Sequence, residues 1–378
     1  MKSKTLFTLV ILSLFMVSLL GLVGCGAEDA AEPVEDAVDE LVEDAVDESV
    51  SDEVFEISFA HHWPAGHEVE TVMAQGWAQA VEEATGGRVK VTTYPGETLI
   101  PAAENYEGVV TGLADVGLSV YAYTRGRFPV IETFLLPGIN AKSAEALGLA
   151  ATEVINEMNP EEIQDTKQLW TFGSGPMDLL SNVPVREMED FRGLELGVPG
   201  GKGPDTLEAL GGNPVSLPAS EWYEALQKGV MQGGFIAANA VEGFRLGEVT
   251  ADYITLTPFM PQQLFFCVMN LDTWNSFPED IQEIITEVTN EFYPNNVPAV
   301  WDIKNVGALE RLAEEKDIEY IHLDDAEMEK WISMTEPIQA EYVEELNAKG
   351  FDGEAILQLV LDTIEKYNNS LPDVSYGG

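Results

Sequence analysis

Residues 54 to 94 constrain this chain more than any other stretch. Val54-Phe55-Glu56-Ile57-Ser58-Phe59-Ala60 alternates apolar and polar side chains, the period-two pattern of a strand with one buried face. The loop HHWPAGHE follows, and apolar residues then return at helical spacing through Val69, Met73, Trp77, Ala80 and Val81. Gly86-Gly87 stops that helix, and residues 88 to 94 resume a strand pattern. Strand, helix and strand within about forty residues form a βαβ unit, so the sheet that contains them is predicted to be parallel here.

The same alternation continues. A helix over about 102 to 111 leads to a short strand at 114 to 120, and strands are expected again at 168 to 173, 194 to 198, 214 to 217 and 233 to 237. Helices at 204 to 210 and 220 to 228 separate the later strands. Two α/β runs, each of about a hundred residues, predict an α/β protein of two lobes with mostly parallel sheets. Residues 278 to 368 differ: helix formers carry apolar residues at i, i+3 and i+4, including Ile281, Ile284, Ile285 and Val288, and later 301 to 312 and 328 to 346. Long C-terminal helices bracing the body follow from that pattern. The expected division is lobe I at 54 to 175 with roughly 265 to 300, and lobe II at 176 to 264 with the helices of 301 to 368.

The first 25 residues read as a secretory signal, with Lys2 and Lys4 before an apolar run from 6 to 23. Its end, Leu22-Val23-Gly24-Cys25, resembles a bacterial lipobox, which would make Cys25 the lipidated first residue of an extracytoplasmic, membrane-anchored protein. Residues 26 to 53 hold thirteen Asp and Glu and no Lys or Arg, and repeat VEDAVDE at 34 to 40 and 42 to 48. Self-repulsion makes such a segment a disordered tether. Beyond it stand 17 basic against 53 acidic residues, a sign that excludes nucleic acid as a partner and suits a salt-rich habitat. Cys267, the only other cysteine, lies in the apolar stretch Leu264-Phe265-Phe266-Cys267-Val268 and is expected to be buried, with no disulfide to form.

The glycine-rich stretch GLELGVPGGKG, residues 193 to 203, fails as a phosphate loop. Counting back from Lys202 puts Leu196 where the first Walker glycine belongs, and Gly203 takes the hydroxyl position. Gly193 and Gly197 are too far apart for the dinucleotide fingerprint. A secreted hydrolase would need a nucleophile motif, and Gly173-Ser174-Gly175 lacks the G-x-S-x-G spacing. A metal receptor is the other alternative, because His61, His62 and His67 gather beside Glu68. Adjacent histidines at a strand end point apart, however, and no H-E-x-x-H occurs. No cofactor is expected.

Several short motifs, in order, resemble the substrate-binding proteins of tripartite ATP-independent periplasmic (TRAP) transporters of the DctP type. They are Trp77-Ala78 with Gly86-Gly87-Arg88-Val89-Lys90-Val91, Tyr94-Pro95-Gly96, Gly112-Leu113-Ala114-Asp115-Val116-Gly117 and Gly126-Arg127-Phe128-Pro129. Gly193-Leu194-Glu195-Leu196, Leu210-Gly211-Gly212-Asn213-Pro214-Val215 and the run EWYEALQKGVMQG at 221 to 233 complete the set. The resemblance implies a two-lobed, periplasmic-binding-protein-like (Venus-flytrap) fold. Its cleft would close on a small ligand, usually an organic acid, without catalysis, and deliver it to membrane permease subunits driven by an ion gradient.

The resemblance also aligns 194 to 198 with a strand that usually reads G-L-K-I-R-V-P, whose Arg clamps the ligand carboxylate. Here Gly197 stands in that place and is expected in the cleft wall, where the missing side chain allows close backbone approach or room for a bulkier group of the ligand. A simple dicarboxylate or sialic-acid ligand is therefore not expected, since a bidentate arginine fork has no equivalent substitute. Arg125, just past the third strand, is the remaining cation expected to reach a ligand; Arg127 is expected to pair with a surface carboxylate. His62, Trp63 and His67 fall in the first strand-to-helix loop of the cleft. Tyr121, Tyr123, Phe172, Phe235 and Phe265 are its expected aromatics, with Trp222 and Phe266 in similar positions, and about half of such rings are ordinarily core. Met177 and Asn239 are expected edge contacts. An aromatic cleft implies a ligand with an apolar body and one polar end.

Overall fold

The computed structural model describes residues 53 to 250 and 252 to 374. The signal segment, Cys25 and all but the last residue of the tether lie outside them. Eleven strands are formed by the described residues: β1 Phe55–His61, β2 Val89–Tyr94, β3 Val116–Val120, β4 Thr166–Gly173, β5 Asp178–Ser181, β6 Glu195–Val198, β7 Asn213–Ser216, β8 Gly233–Ile236, β9 Tyr253–Thr255, β10 Leu264–Asn270 and β11 Glu319–Ile321. They build two sheets, one ordered β2-β1-β3-β10-β4 and the other β11-β9-β5-β8-β6-β7. Each sheet is the centre of one lobe.

Pairing follows from how the chain returns. β1 runs parallel to β2 and β3 through helical crossovers, and β6 runs parallel to β7 and β8 in the second lobe. β11 runs parallel to β9. The antiparallel pairings all involve β4, β5, β9 or β10, the strands through which the chain changes lobe. Both sheets are thus mixed, and the parallel majority is narrow. All seven residues of β10 are buried, the continuous apolar pattern of a central strand covered on both faces.

Two segments outside helix and strand cross between lobes, 174 to 177 after β4 and 256 to 263, with a turn at 258 to 260, before β10. They are stitched together. The Ser174 N–H donates to the Gln263 carbonyl at 2.8 Å, and the Gln263 N–H donates to Ser174 Oγ at 3.0 Å. The Gln262 carboxamide donates to the Ser174 carbonyl at 3.0 Å and accepts from the Ala141 N–H at 2.9 Å.

The C-terminal third is helical, as its periodicity requires, with the short β11 inserted. Residues 301 to 368 do not all brace the second lobe, contrary to the expected division. Helix Asp325–Thr335 does, through Trp331 packed on Phe191 and Phe259. Helix Gly353–Ser370 instead packs on helix Ala144–Met158 of the first lobe, where Lys366 and Tyr367 both donate to Glu153. Its apolar stripe, Ile356, Val360 and Ile364, has its complement there.

Candidate functional site

The loops at the carboxyl ends of β1, β3, β6 and β8 converge between the lobes, where open α/β sheets place ligands. They border a half-open cleft with about 450 Å³ of space free of protein atoms, part of it open to solvent. Lobe I contributes His62 and Trp63 after β1, Tyr123 after β3, and Phe265 of β10. Lobe II contributes Phe235 of β8, Trp222 of helix Ala219–Gln227, and Phe244. Ser174, Met177 and Gln263 come from the crossing segments, and Trp301 from helix Pro298–Glu315. The rings brace one another: Phe265 stacks on Trp301 with centroids 4.7 Å apart, and Phe172 stacks behind Phe265 at 4.6 Å.

Gly197 is not part of this wall. It pairs with Gly234 across β6 and β8, and a Cβ at 197 would stand 2.7 Å from Cζ2 of Trp222 and 3.0 Å from Sδ of Met231. A Cβ at 234 would meet the same indole at 2.6 Å. The two glycines therefore clear a floor on which the Trp222 ring lies, fixed by its Nε1 donating to the Leu217 carbonyl at 2.9 Å. Gly200 explains the rest of the glycine-rich stretch. Its φ is +109°, and a Cβ there would fall 2.6 Å from the carbonyl oxygen of Ala122, so bare backbone of lobe II rests against lobe I.

The structure brings His62, Trp63, Tyr123, Met177, Trp222, Phe235 and Phe265 to the cavity and leaves the other expected residues behind or outside it. His67 sits behind the wall near Phe244 and Trp301, its Nδ1 accepting from the Val69 N–H at 3.1 Å. Tyr121 is a core residue bonded to Thr171 at 3.2 Å. Phe172 supports Phe265 from the rear. Asn239 turns its N–H to Asn305 Oδ1 at 2.9 Å, and it is Ala240, one residue on, that reaches the cavity. Arg125 lies outside, its side chain 68 % exposed and 3.8 Å from Asp205. Arg127 is held by Glu107 and Asp165.

Residues 59–346 match the bacterial extracellular solute-binding protein family 7, the DctP family. The chain belongs to that family. A solute-binding protein of Albidiferax ferrireducens is 24% identical over 291 residues, covering 73% of this chain and 82% of its own. A TRAP periplasmic solute-binding protein of Desulfovibrio salexigens superposes with a TM-score of 0.71 at 33% identity, over 85% of this chain and 98% of that one. A marine metagenome TRAP solute-binding protein, described as specific for aromatic acid ligands and holding metahydroxyphenylacetate, gives a TM-score of 0.77 at 25% identity, over 83% and 99%. The two-lobed architecture is that of TRAP periplasmic binding proteins, and membership places the body outside the cytoplasm.

The cavity is short of charge. Among the described residues no Lys, Arg, Asp or Glu lines it. His62 is buried, and desolvation, followed by His61 and His67, holds its pKa well below the ordinary value, so the ring is neutral at physiological pH. The remaining polar side-chain groups of its lining residues are the Tyr123 hydroxyl, Ser174, Gln263 and the indole N–H groups of Trp63, Trp222 and Trp301. Tyr123 Oη accepts from the Ala219 N–H at 3.0 Å, a latch between lobes, and Ser220 Oγ donates to Glu97 at 2.6 Å beside it. Ser174 Oγ donates to the Gly175 carbonyl at 2.8 Å and accepts from Gln263, so the arrangement gives a hydrolase no activated nucleophile.

The metal alternative has no geometric support. Among the described residues no group of three or more His, Cys, Asp or Glu is placed to hold an ion. His61 Nε2 lies 2.7 Å from Glu70, which also accepts from Gln75 and Thr93, while His62 stacks on Trp63 with centroids 3.7 Å apart. Trp301, Phe244 and Gln263 escaped sequence reasoning for separate reasons. Trp301 sits in a helical pattern that reads as core, Phe244 just follows a six-residue helix, and a loop carboxamide carries no pattern at all.

Proposed function

We propose that this chain is the lipid-anchored receptor of a TRAP transporter, capturing a small organic solute with an aromatic or otherwise flat apolar body and passing it to the membrane permease subunits. It performs no catalysis. The observation that carries this reading is the cavity itself, walled by seven Trp, Tyr and Phe side chains drawn from both lobes. A body of that kind gains from leaving water against such a wall, at about 25 cal/mol per Å² of apolar surface buried. The related marine protein described as specific for aromatic acids supports the size and shape class. Anchoring at Cys25 rests on its lipobox-like setting, and the acidic tether would let the body reach the permease.

Because both lobes supply wall, a bound ring contacts each of them only when they are together, which is the differential interaction that drives closure. Small-angle scattering tests it. With a panel of monocyclic aromatic compounds, acids and amides alike, at least one member should make the particle more compact, while succinate leaves it unchanged. Compaction by succinate with none by any ring compound would refute the reading.

A further inference from the structure

We propose that the polar end of the ligand is uncharged, an amide, lactam or like pairing of one donor and one acceptor, and that the side-chain carboxamide of Gln263 reads it. This deepens, and rests on, the reading of the interlobe cavity as the solute site.

The first support is the treatment of charge. A carboxylate taken into this cavity would lose its water without gaining a cation, which makes burial of the charged form strongly unfavourable. Basic groups on the flanking loops and helices are engaged elsewhere, Lys202 with Glu345 at 2.7 Å and Asp205 at 3.2 Å, Lys304 with Glu68 at 2.7 Å, and Arg127 with Glu107 and Asp165, while Arg125 faces solvent, 3.8 Å from Asp205. Nor is the family's arginine position simply vacant. The volume next to Gly197 is filled by the Trp222 indole and Met231, apolar groups that supply no cation.

Gln263 supplies the second, independent support. It lines the cavity and is 4 % exposed, and neither its Oε1 nor its Nε2 has a hydrogen-bond partner. Buried carboxamides are rarely left wholly unpaired, because both ends lose their water. A neutral amide-like ligand satisfies both ends, donating to Oε1 and accepting from Nε2. A carboxylate accepts from Nε2 but sets an anionic oxygen near Oε1, which it cannot satisfy. The indole Nε1 of Trp301, on the same wall, is a further unpartnered donor that a carbonyl would suit. Two hydrogen bonds to Ser174 fix the backbone of Gln263, so its side chain is presented from a defined point where the chain crosses between lobes.

Calorimetry of the full-length protein with benzamide, benzoate and toluene at neutral pH tests this, the first two probes having the same shape and differing in charge. Benzamide is expected to bind at least tenfold more tightly than benzoate. In Gln263→Met that preference should fall below threefold, while toluene still binds, showing that the cavity is intact. Benzoate binding as tightly as benzamide overturns the uncharged polar end but leaves the aromatic cavity standing. A benzamide preference that survives Gln263→Met overturns the role of Gln263. Failure of all three probes to bind overturns the solute-site reading and this proposal with it.

Discussion

Gly197 and Trp222 divide one space between them: the indole occupies the volume into which any side chain at 197 would grow, with Cζ2 only 2.7 Å from an ideal Cβ. Absence of a side chain in β6 and presence of a ring above it are a single feature. Gly197→Ala should therefore cost about 1 to 3 kcal/mol through overpacking. In Trp222→Ala the same substitution should cost markedly less, because the obstacle has gone. Denaturant unfolding of the two single variants and the double variant measures the coupling, and strictly additive losses would show that the two residues do not compete.

A second prediction concerns Arg125. Its exposed position beside Asp205 gives it no path to a ligand between the lobes. Arg125→Ala is expected to change the affinity for any ligand by less than about twofold, in keeping with the small worth of exposed ion pairs. Trp301→Ala, which removes a stacked ring from the wall, should weaken it by tenfold or more. Parallel calorimetric titrations compare them, and a large loss in Arg125→Ala alone would mean that the closed cleft recruits that guanidinium.

Much of the first lobe was legible because strands and helices there are long enough to show their periods. β1, its following helix and β2 could be read from the alternation of 54 to 60 and the spacing of Val69, Met73 and Trp77. β9 and β11 were not, since three residues display no period; β5 also went unread although β6, β7 and β8, equally short, were expected, and β10 was seen as an apolar stretch but not as a central strand. Helix Ala144–Met158 passed unread, its small residues forming no clear stripe. In the site, position after a strand pointed to His62, Trp63 and Tyr123, whereas rotation of a side chain does not show in sequence. That is why Tyr121, two residues from Tyr123, proved a core residue. The resemblance set Gly197 where an arginine would stand, but which group occupies the space beside it could not be read from sequence; the structure puts the Trp222 ring there.

The buried imidazole of His67 makes stability depend on pH. Desolvation lowers its pKa from 6.5 to about 4, against the opposing pull of Glu68 and with help from His61. The unfolded chain thus takes up the proton first on acidification. Stability from the neutral ring is complete above about 6.5 and is lost as the pH falls towards 4, up to about 3 kcal/mol at 1.36 kcal/mol per pKa unit. The gap in melting temperature between wild type and His67→Gln should narrow over that interval. Scanning calorimetry at a series of pH values would show it, and a gap independent of pH would mean that His67 titrates alike in both states.

Burial also acts on Glu162, in the opposite sense. Desolvation raises its pKa to about 7 even though the carboxylate accepts from the N–H groups of Val130 and Ile131, both at 3.0 Å. The folded state holds this proton more tightly, so the contribution is present at low pH and is lost as pH rises from about 4.5 through 7. Glu162→Gln should lose less stability than wild type across that rise. Unfolding at pH 5 and pH 8 decides it, and equal changes in both proteins would count against a protonated Glu162.

Direct titration of the cavity carries the most weight. Full-length protein is titrated by calorimetry with a panel of monocyclic aromatic compounds and with succinate, each also against Trp222→Ala. The expected result is one-to-one binding of at least one ring compound to the wild type, at least tenfold weaker binding to Trp222→Ala, and no measurable heat from succinate. Tight succinate binding that ignores Trp222→Ala, with none of the ring compounds taken up, would contradict an aromatic solute site between the lobes.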